Sequence, residues 1–109
     1  MIAWIASRTL QPRKVKAFRK VWQFKVRPEG LVRVYFLHGS EKRDEMIGCS
    51  LWESRAALRR YQGTAAERER LAAMRPLVKR VNWAGIYEAE DVLLTRSRAA
   101  RPPLRRSAR

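Results

Sequence analysis

Scarcity sets the chemistry available to this chain. Its 109 residues include one cysteine, Cys49, and one histidine, His38. No intramolecular disulfide can form, and no zinc site of the usual Cys/His spacing can be built. There is no glycine-rich phosphate loop, and Glu53, Glu88, Glu90 and Asp91 show no spacing that singles out a pair of carboxylates. A nucleophilic Cys49 would need a histidine partner and a low-pKa environment. No flanking pattern supplies them, so Cys49 reads as a small buried hydrophobe on a strand. The side chains left to do chemistry are His38, the tyrosines Tyr35, Tyr61 and Tyr87, the tryptophans Trp4, Trp22, Trp52 and Trp83, and an abundance of arginine.

The elements that must position them are legible from pattern. Met46 to Tyr61 (MIGCSLWESRAALRRY) changes at its middle from an apolar, alternating run to a cationic helical one. Met46 to Trp52 therefore reads as a strand, with Gly48 marking a bulge or a close backbone approach, and Ser54 as the N-cap of a helix carrying Ala57, Leu58 and Tyr61. Gly63 interrupts that helix, and Thr64-Ala-Ala-Glu67 is a capping-box sequence that restarts it as far as Pro76. Upstream, Ile2 to Thr9 reads as a buried strand. Pro12 to about Phe24 reads as a helix, with Pro12 at its first turn and Val15, Phe18, Val21 and Trp22 on one stripe. Leu31 to His38 reads as a second strand, with Gly39 to Glu45 as the loop into the third. Arg80 to Tyr87 makes the fourth.

Charge limits the function classes without choosing among them. The chain carries 25 Lys+Arg against 10 Asp+Glu, a formal net charge of +15. Met1 to Pro28 has eight basic residues and no acid, and all ten acids lie between Glu29 and Asp91. Such a field attracts nucleic acid, anionic lipid or an anionic substrate alike. Thr95 to Arg109 holds six arginines and a single large apolar residue, Leu104. That composition does not cover the entropy of ordering, so residues 1–94 are expected to form one domain and 95–109 a disordered tail. No apolar run approaches the ~18 residues of a membrane span. The N-terminus lacks a charged region ahead of its apolar part, so the expected setting is cytoplasmic, away from membranes.

The element order β-α-β-β-α-β is that of the ferredoxin-like, split-βαβ α+β plait, an antiparallel sheet with its helices on one face. A sheet wetted on its other face should alternate cleanly between apolar and polar. Here Val32, Val34 and Phe36 alternate with Leu31, Tyr35 and Leu37, and Ile47, Cys49 and Leu51 alternate with Gly48, Ser50 and Trp52. The second face must be covered. The RNA-recognition module leaves aromatics there, but its third-strand signature laid on Glu45 to Trp52 meets Ile47 and Cys49 where aromatics are required. The stacking platform is missing.

Over Met1 to about Leu94 the chain resembles the antibiotic-biosynthesis-monooxygenase-like family. The resemblance is carried by Ile47-Gly48-Cys49-Ser50-Leu51-Trp52-Glu53-Ser54-Arg55-Ala56-Ala57-Leu58 followed by Tyr61. It implies a dimeric α+β barrel: a homodimer packed through the open sheet face, each protomer keeping a pocket between sheet and helices. It also implies oxidation of a small aromatic or quinol-like ligand by dioxygen as a monooxygenase, with no metal or flavin. The haem-degrading branch uses an Asn, a Trp and a His at positions that correspond here to Ser7, Tyr61 and Leu71, so that activity is not expected. On the cofactor-independent route His38 is the candidate base, titrating near neutrality. Tyr35, Tyr61 or Tyr87 would orient the substrate and Trp52 and Trp83 would form aromatic walls. Arg8 would pair with an anionic oxygen, and Ser7 completes the candidate pocket. Each has a plainer reading: His38 as a loop-capping residue and Trp4, Trp22, Trp52 and Trp83 as packing. The alternative function is a non-catalytic basic module that holds nucleic acid or another acidic partner through helix one and the tail.

Overall fold

The computed structural model describes residues 1–93. Strand β1 (Ile2–Leu10), helix α1 (Val15–Trp22), strands β2 (Leu31–His38) and β3 (Glu45–Trp52), helices α2 (Arg55–Gln62) and α3 (Ala65–Met74) and strand β4 (Val78–Glu88) follow in that order. The expected domain boundary at Leu94 and the arginine-rich segment 95–109 lie outside the described residues. The four strands form one antiparallel sheet in the order β2-β3-β1-β4, the ferredoxin-like α+β arrangement.

Register assigns the two faces. Ile2 stands opposite Trp52, Ala6 opposite Gly48 and Arg8 opposite Met46. Because side chains alternate across a strand, Met46, Gly48, Ser50 and Trp52 share one face, and all four are buried. That face carries the helices. Leu10, Met46 and Met74 pack with Phe18 and Trp22 of α1, and Ile2, Leu31 and Trp52 pack with Ala57, Leu58 and Tyr61 of α2. Gly48 marks a close approach, since a Cβ there would lie 2.5 Å from Cζ2 of Trp22. The other face bears Ile5, Ile47, Cys49, Tyr35, Trp83 and Tyr87, which the register places on neighbouring positions.

Two expectations at α1 are corrected. The helix begins at Val15 and not at Pro12, because the chain first turns through Arg13 at φ 62° and Lys14 N–H bonds to the carbonyl of Gln11. Leu10 N–H to Asp44 O and Gln11 N–H to Leu77 O fix the chain's direction at the strand end, and the left-handed residue redirects it. The helix ends at Trp22 because Gln23 is extended (ψ 149°), which carries Phe24 out to pack against Tyr61 and Trp52. Elsewhere the local signals hold. The Ser54 hydroxyl accepts from Ala57 N–H at 3.1 Å, and Thr64 accepts from Glu67 N–H at 3.2 Å, restarting the helix after Gly63.

Candidate functional site

The segment that leaves α1 and the helices α2 and α3 enclose a pocket of about 240 Å³. Its walls include Val21, Phe24, Tyr61 and Ala73, with Lys25, Glu69 and Arg70 as the charged members. An aromatic layer lies behind it. Trp52 stacks on Tyr61 with centroids 5.3 Å apart, and Phe24 meets Tyr61 at 5.3 Å and Trp52 edge-on at 6.3 Å. Trp52 is fully buried, and its indole N–H donates to the Ser50 hydroxyl at 2.9 Å, so its polar atom is satisfied inside the core.

Arg70 is the polar group most tightly held in this wall. Its Nε donates to the carbonyl of Trp22 at 2.6 Å, its Nη1 bonds Glu67 Oε1 at 2.7 Å, and its guanidinium lies 4.3 Å from the Phe24 ring centroid and 5.4 Å from that of Trp22. Helix α1's last carbonyls would otherwise lack donors, so Arg70 also ties α3 to the end of α1. Glu67 is turned inward. Its side chain is 2% exposed, and Oε2 has no hydrogen-bond partner among the described residues. The capping box expected at Thr64 is therefore half formed: Thr64 caps Glu67, while Thr64 N–H bonds to the carbonyl of Tyr61 and Glu67 spends its carboxylate on Arg70. Beneath Arg70 a cavity of about 20 Å³ is lined by Trp4, Arg8, Trp22, Gly48 and Ser50.

Burial, and after it the neighbouring Glu67 carboxylate, raises the Tyr61 phenol above its ordinary value, with the positive charge of Arg70 opposing. The Tyr61 hydroxyl therefore stays protonated through neutral pH. A folded-state value above the unfolded one gives stability that is whole below about pH 10 and is lost as pH rises toward the raised value. Tyr61→Phe removes this pH dependence. Denaturant midpoints measured at about pH 9 and about pH 11 are expected to fall less in Tyr61→Phe than in the wild type. Equal falls would show that Tyr61 ionises freely.

The structure does not gather the sequence-nominated residues at one place. Tyr61 lines the pocket, with Trp52 stacked behind it. Arg8 is on the same side of the sheet, between the small inner cavity and a separate pocket beside β4. Ser7, Tyr35, Trp83 and Tyr87 lie on the opposite face, Ser7 directly across from Trp83 and accepting from Asn82 Nδ2 at 3.2 Å. His38 is at the end of β2, exposed, its ring 6.3 Å from that of Phe36, and it does not line the pocket. Sequence reasoning missed Phe24, Glu67 and Arg70. Phe24 fell at the presumed end of a helix, Glu67 was absorbed by its capping motif, and nothing marks Arg70 among 25 cationic residues.

Among the described residues no group of three His, Cys, Asp or Glu stands close enough to hold a metal ion, and no helix is long and apolar enough to cross a membrane. No family model and no curated protein sequence matches the chain. Solved structures do. SnoaB, a cofactor-independent oxygenase from Streptomyces nogalater, superposes with a TM-score of 0.72 at 20% identity over 84% of this chain and 95% of its own. A protein described as an antibiotic biosynthesis monooxygenase by assignment, from Chloroflexus aurantiacus, gives 0.74 at 12% identity over 83% and 93%. Rv0793 from Mycobacterium tuberculosis gives 0.69 at 19% identity over 83% and 95%. At these identities the likeness is one of fold, and nearly the whole of each neighbour is matched.

Proposed function

We propose that this chain is an antibiotic-biosynthesis-monooxygenase-like enzyme that oxidises a small phenolic or quinol-type substrate with dioxygen, without metal or flavin, in the Tyr61 pocket. The observation that carries the reading is the pocket itself, where an aromatic wall meets a guanidinium pinned by Glu67 and the Trp22 carbonyl. It occurs in the fold that SnoaB shares. The Arg70 guanidinium offers positive charge to a substrate oxygen as the phenol or enol loses its proton. Tyr61 donates to the same oxygen, and Glu69, the carboxylate of the wall, takes the proton. The electron-rich carbon then reduces dioxygen. One oxygen atom becomes the new carbonyl, and the other leaves as water with the two hydrogens of the oxidised carbon.

The same reading takes a second copy of the chain as the cover of the open sheet face. Tyr35, Leu37, Trp83 and Tyr87 are 50%, 53%, 45% and 50% exposed there, large apolar side chains on one face that a second copy would take out of water. Purified full-length protein is expected to be a dimer by light scattering and to consume oxygen in step with quinone formation from at least one member of a phenol, hydroquinone and anthrone panel. Glu69→Gln, an exposed and structurally mild change, is expected to lower kcat by about 10²-fold or more. Absence of oxygen uptake across the panel, or full activity in Glu69→Gln, would remove the catalytic reading.

A further inference from the structure

We propose that Arg8, Arg75 and Arg80 form a second binding site, separate from the Tyr61 pocket, for a small amphipathic carboxylate. A cavity of about 290 Å³ lies where the end of α3 and the turn that follows it cross β1 and β4. Leu71, Met74, Val78 and Val81 make its apolar walls, and the three arginines are its polar groups. It has no lining residue in common with the Tyr61 pocket. The size is near the lower end of small-molecule sites, which combine an apolar lining with a few placed polar groups.

The three cations at its rim set the charge of the occupant. Among the described residues the ion pairs are Lys42 with Glu45 and Glu67 with Arg70, so none of these three guanidinium groups has an acidic partner. Arg8 is half-buried, with the Phe18 ring 5.8 Å from its guanidinium carbon. Burial, followed by repulsion from Arg70, makes its charge unfavourable, and Glu67 offsets only part of this. Arg75 and Arg80 are exposed and keep their water, so the cost of desolvation falls on Arg8, and an anion held among the three would offset it. A carboxylate fits the guanidinium fork in two-point contact, and an aliphatic tail fits the four apolar walls.

The sheet is built irregularly at this point. The pairing of β1 with β4 shifts register between Ser7 and Arg8 and again between Thr9 and Leu10, and is regular from Ile2 to Ser7. Bulges re-aim side chains next to sites. These two bring Arg8 of β1 and Arg80 and Val81 of β4 to the rim of one cavity.

Calorimetric titration of the full chain with octanoate, octanol and acetate tests the site without reference to turnover. Octanoate is expected to bind once per chain and raise the thermal midpoint, with octanol and acetate far weaker. Arg8→Met and Arg80→Ser are each expected to weaken octanoate by about tenfold or more, whereas Arg59→Ser, the same charge change at an exposed site on α2, leaves it nearly unchanged. Without ligand, Arg8→Met is expected to be at least as stable as the wild type, because it replaces an unpaired, half-buried charge with an apolar chain. Tyr61→Phe should bind octanoate normally. Octanol binding as tightly as octanoate, octanoate binding unaffected by both arginine substitutions, or its loss in Tyr61→Phe would each overturn the proposal.

Discussion

Trp52→Ala is expected to lower the stability of this protein by about 3–5 kcal/mol, the range for deleting a large buried aromatic. The side chain is fully buried, stacked on Tyr61, in edge contact with Phe24, and bonded through its indole N–H to Ser50. Removing it opens a cavity under the floor of the pocket and leaves the buried Ser50 hydroxyl without its donor. A small domain has roughly 5–15 kcal/mol in all, so the variant approaches the unfolding threshold. Trp52→Phe keeps much of the volume and forfeits the hydrogen bond, and should cost less, with about 1 kcal/mol of the loss due to that bond. Urea midpoints with unchanged slopes measure both. If Trp52→Ala instead kept the wild-type midpoint and lost only oxygen uptake, Trp52 would be a working residue and not a packing one.

The second large effect belongs to Arg70. Arg70→Met leaves the Glu67 carboxylate buried without its cationic partner and the Trp22 carbonyl without its side-chain donor. Breaking a buried pair from one side costs about 3–5 kcal/mol, because the remaining charge is uncompensated. The double variant Arg70→Met/Glu67→Leu removes both charges and is expected to recover much of that loss, since an apolar replacement of a buried pair is often close to neutral. The two single variants and the double form a cycle whose coupling term isolates the pair. Additive losses would show that Glu67 and Arg70 act independently, and would weaken the view that Glu67 exists to hold Arg70 at the pocket wall. If the proposed oxidation takes place in the Tyr61 pocket, oxygen uptake should vanish in both variants that lack Arg70, including the restabilised one, which would separate a catalytic role from the structural one.

Much of the fold was written locally. Ser54 and Thr64 each have a side-chain oxygen and a helix to cap, Gly63 is flanked by two helical runs, and the alternation from Leu31 to His38 and from Met46 to Trp52 fits paired strands. Such signals act within a few residues, so they survive without knowledge of the rest of the chain. The resemblance over Ile47 to Tyr61 likewise pointed to the fold that the antiparallel β2-β3-β1-β4 sheet displays. Where local chemistry was silent, the reading drifted. Nothing in Arg13 announces a left-handed turn, and pattern alone starts α1 at Pro12.

The candidate site was less legible. Alternation tells which residues share a face, but both faces of this sheet are apolar, so no polar stripe marks which one meets the helices. Ser7 and Arg8 are neighbours in sequence, and the resemblance puts both in one pocket. The pleat sends them to opposite faces, and the register shift between them against β4 then sets Arg8 at a cavity of its own. Trp83 and Tyr87, though aromatic like Tyr61, face the other way.

By itself, then, the sequence determined the element order, the helix caps, the break at Gly63 and the excess of positive charge, all of which depend on neighbours along the chain or on simple sums. Only the tertiary structure decided that Glu67 turns from its capping role to hold Arg70, that Phe24 leaves its helix to join Tyr61 and Trp52, and that Arg8, Arg75 and Arg80 line one cavity beside β4. Those outcomes depend on contacts between residues as far apart as Trp22 and Arg70, and on a strand register that no single segment carries.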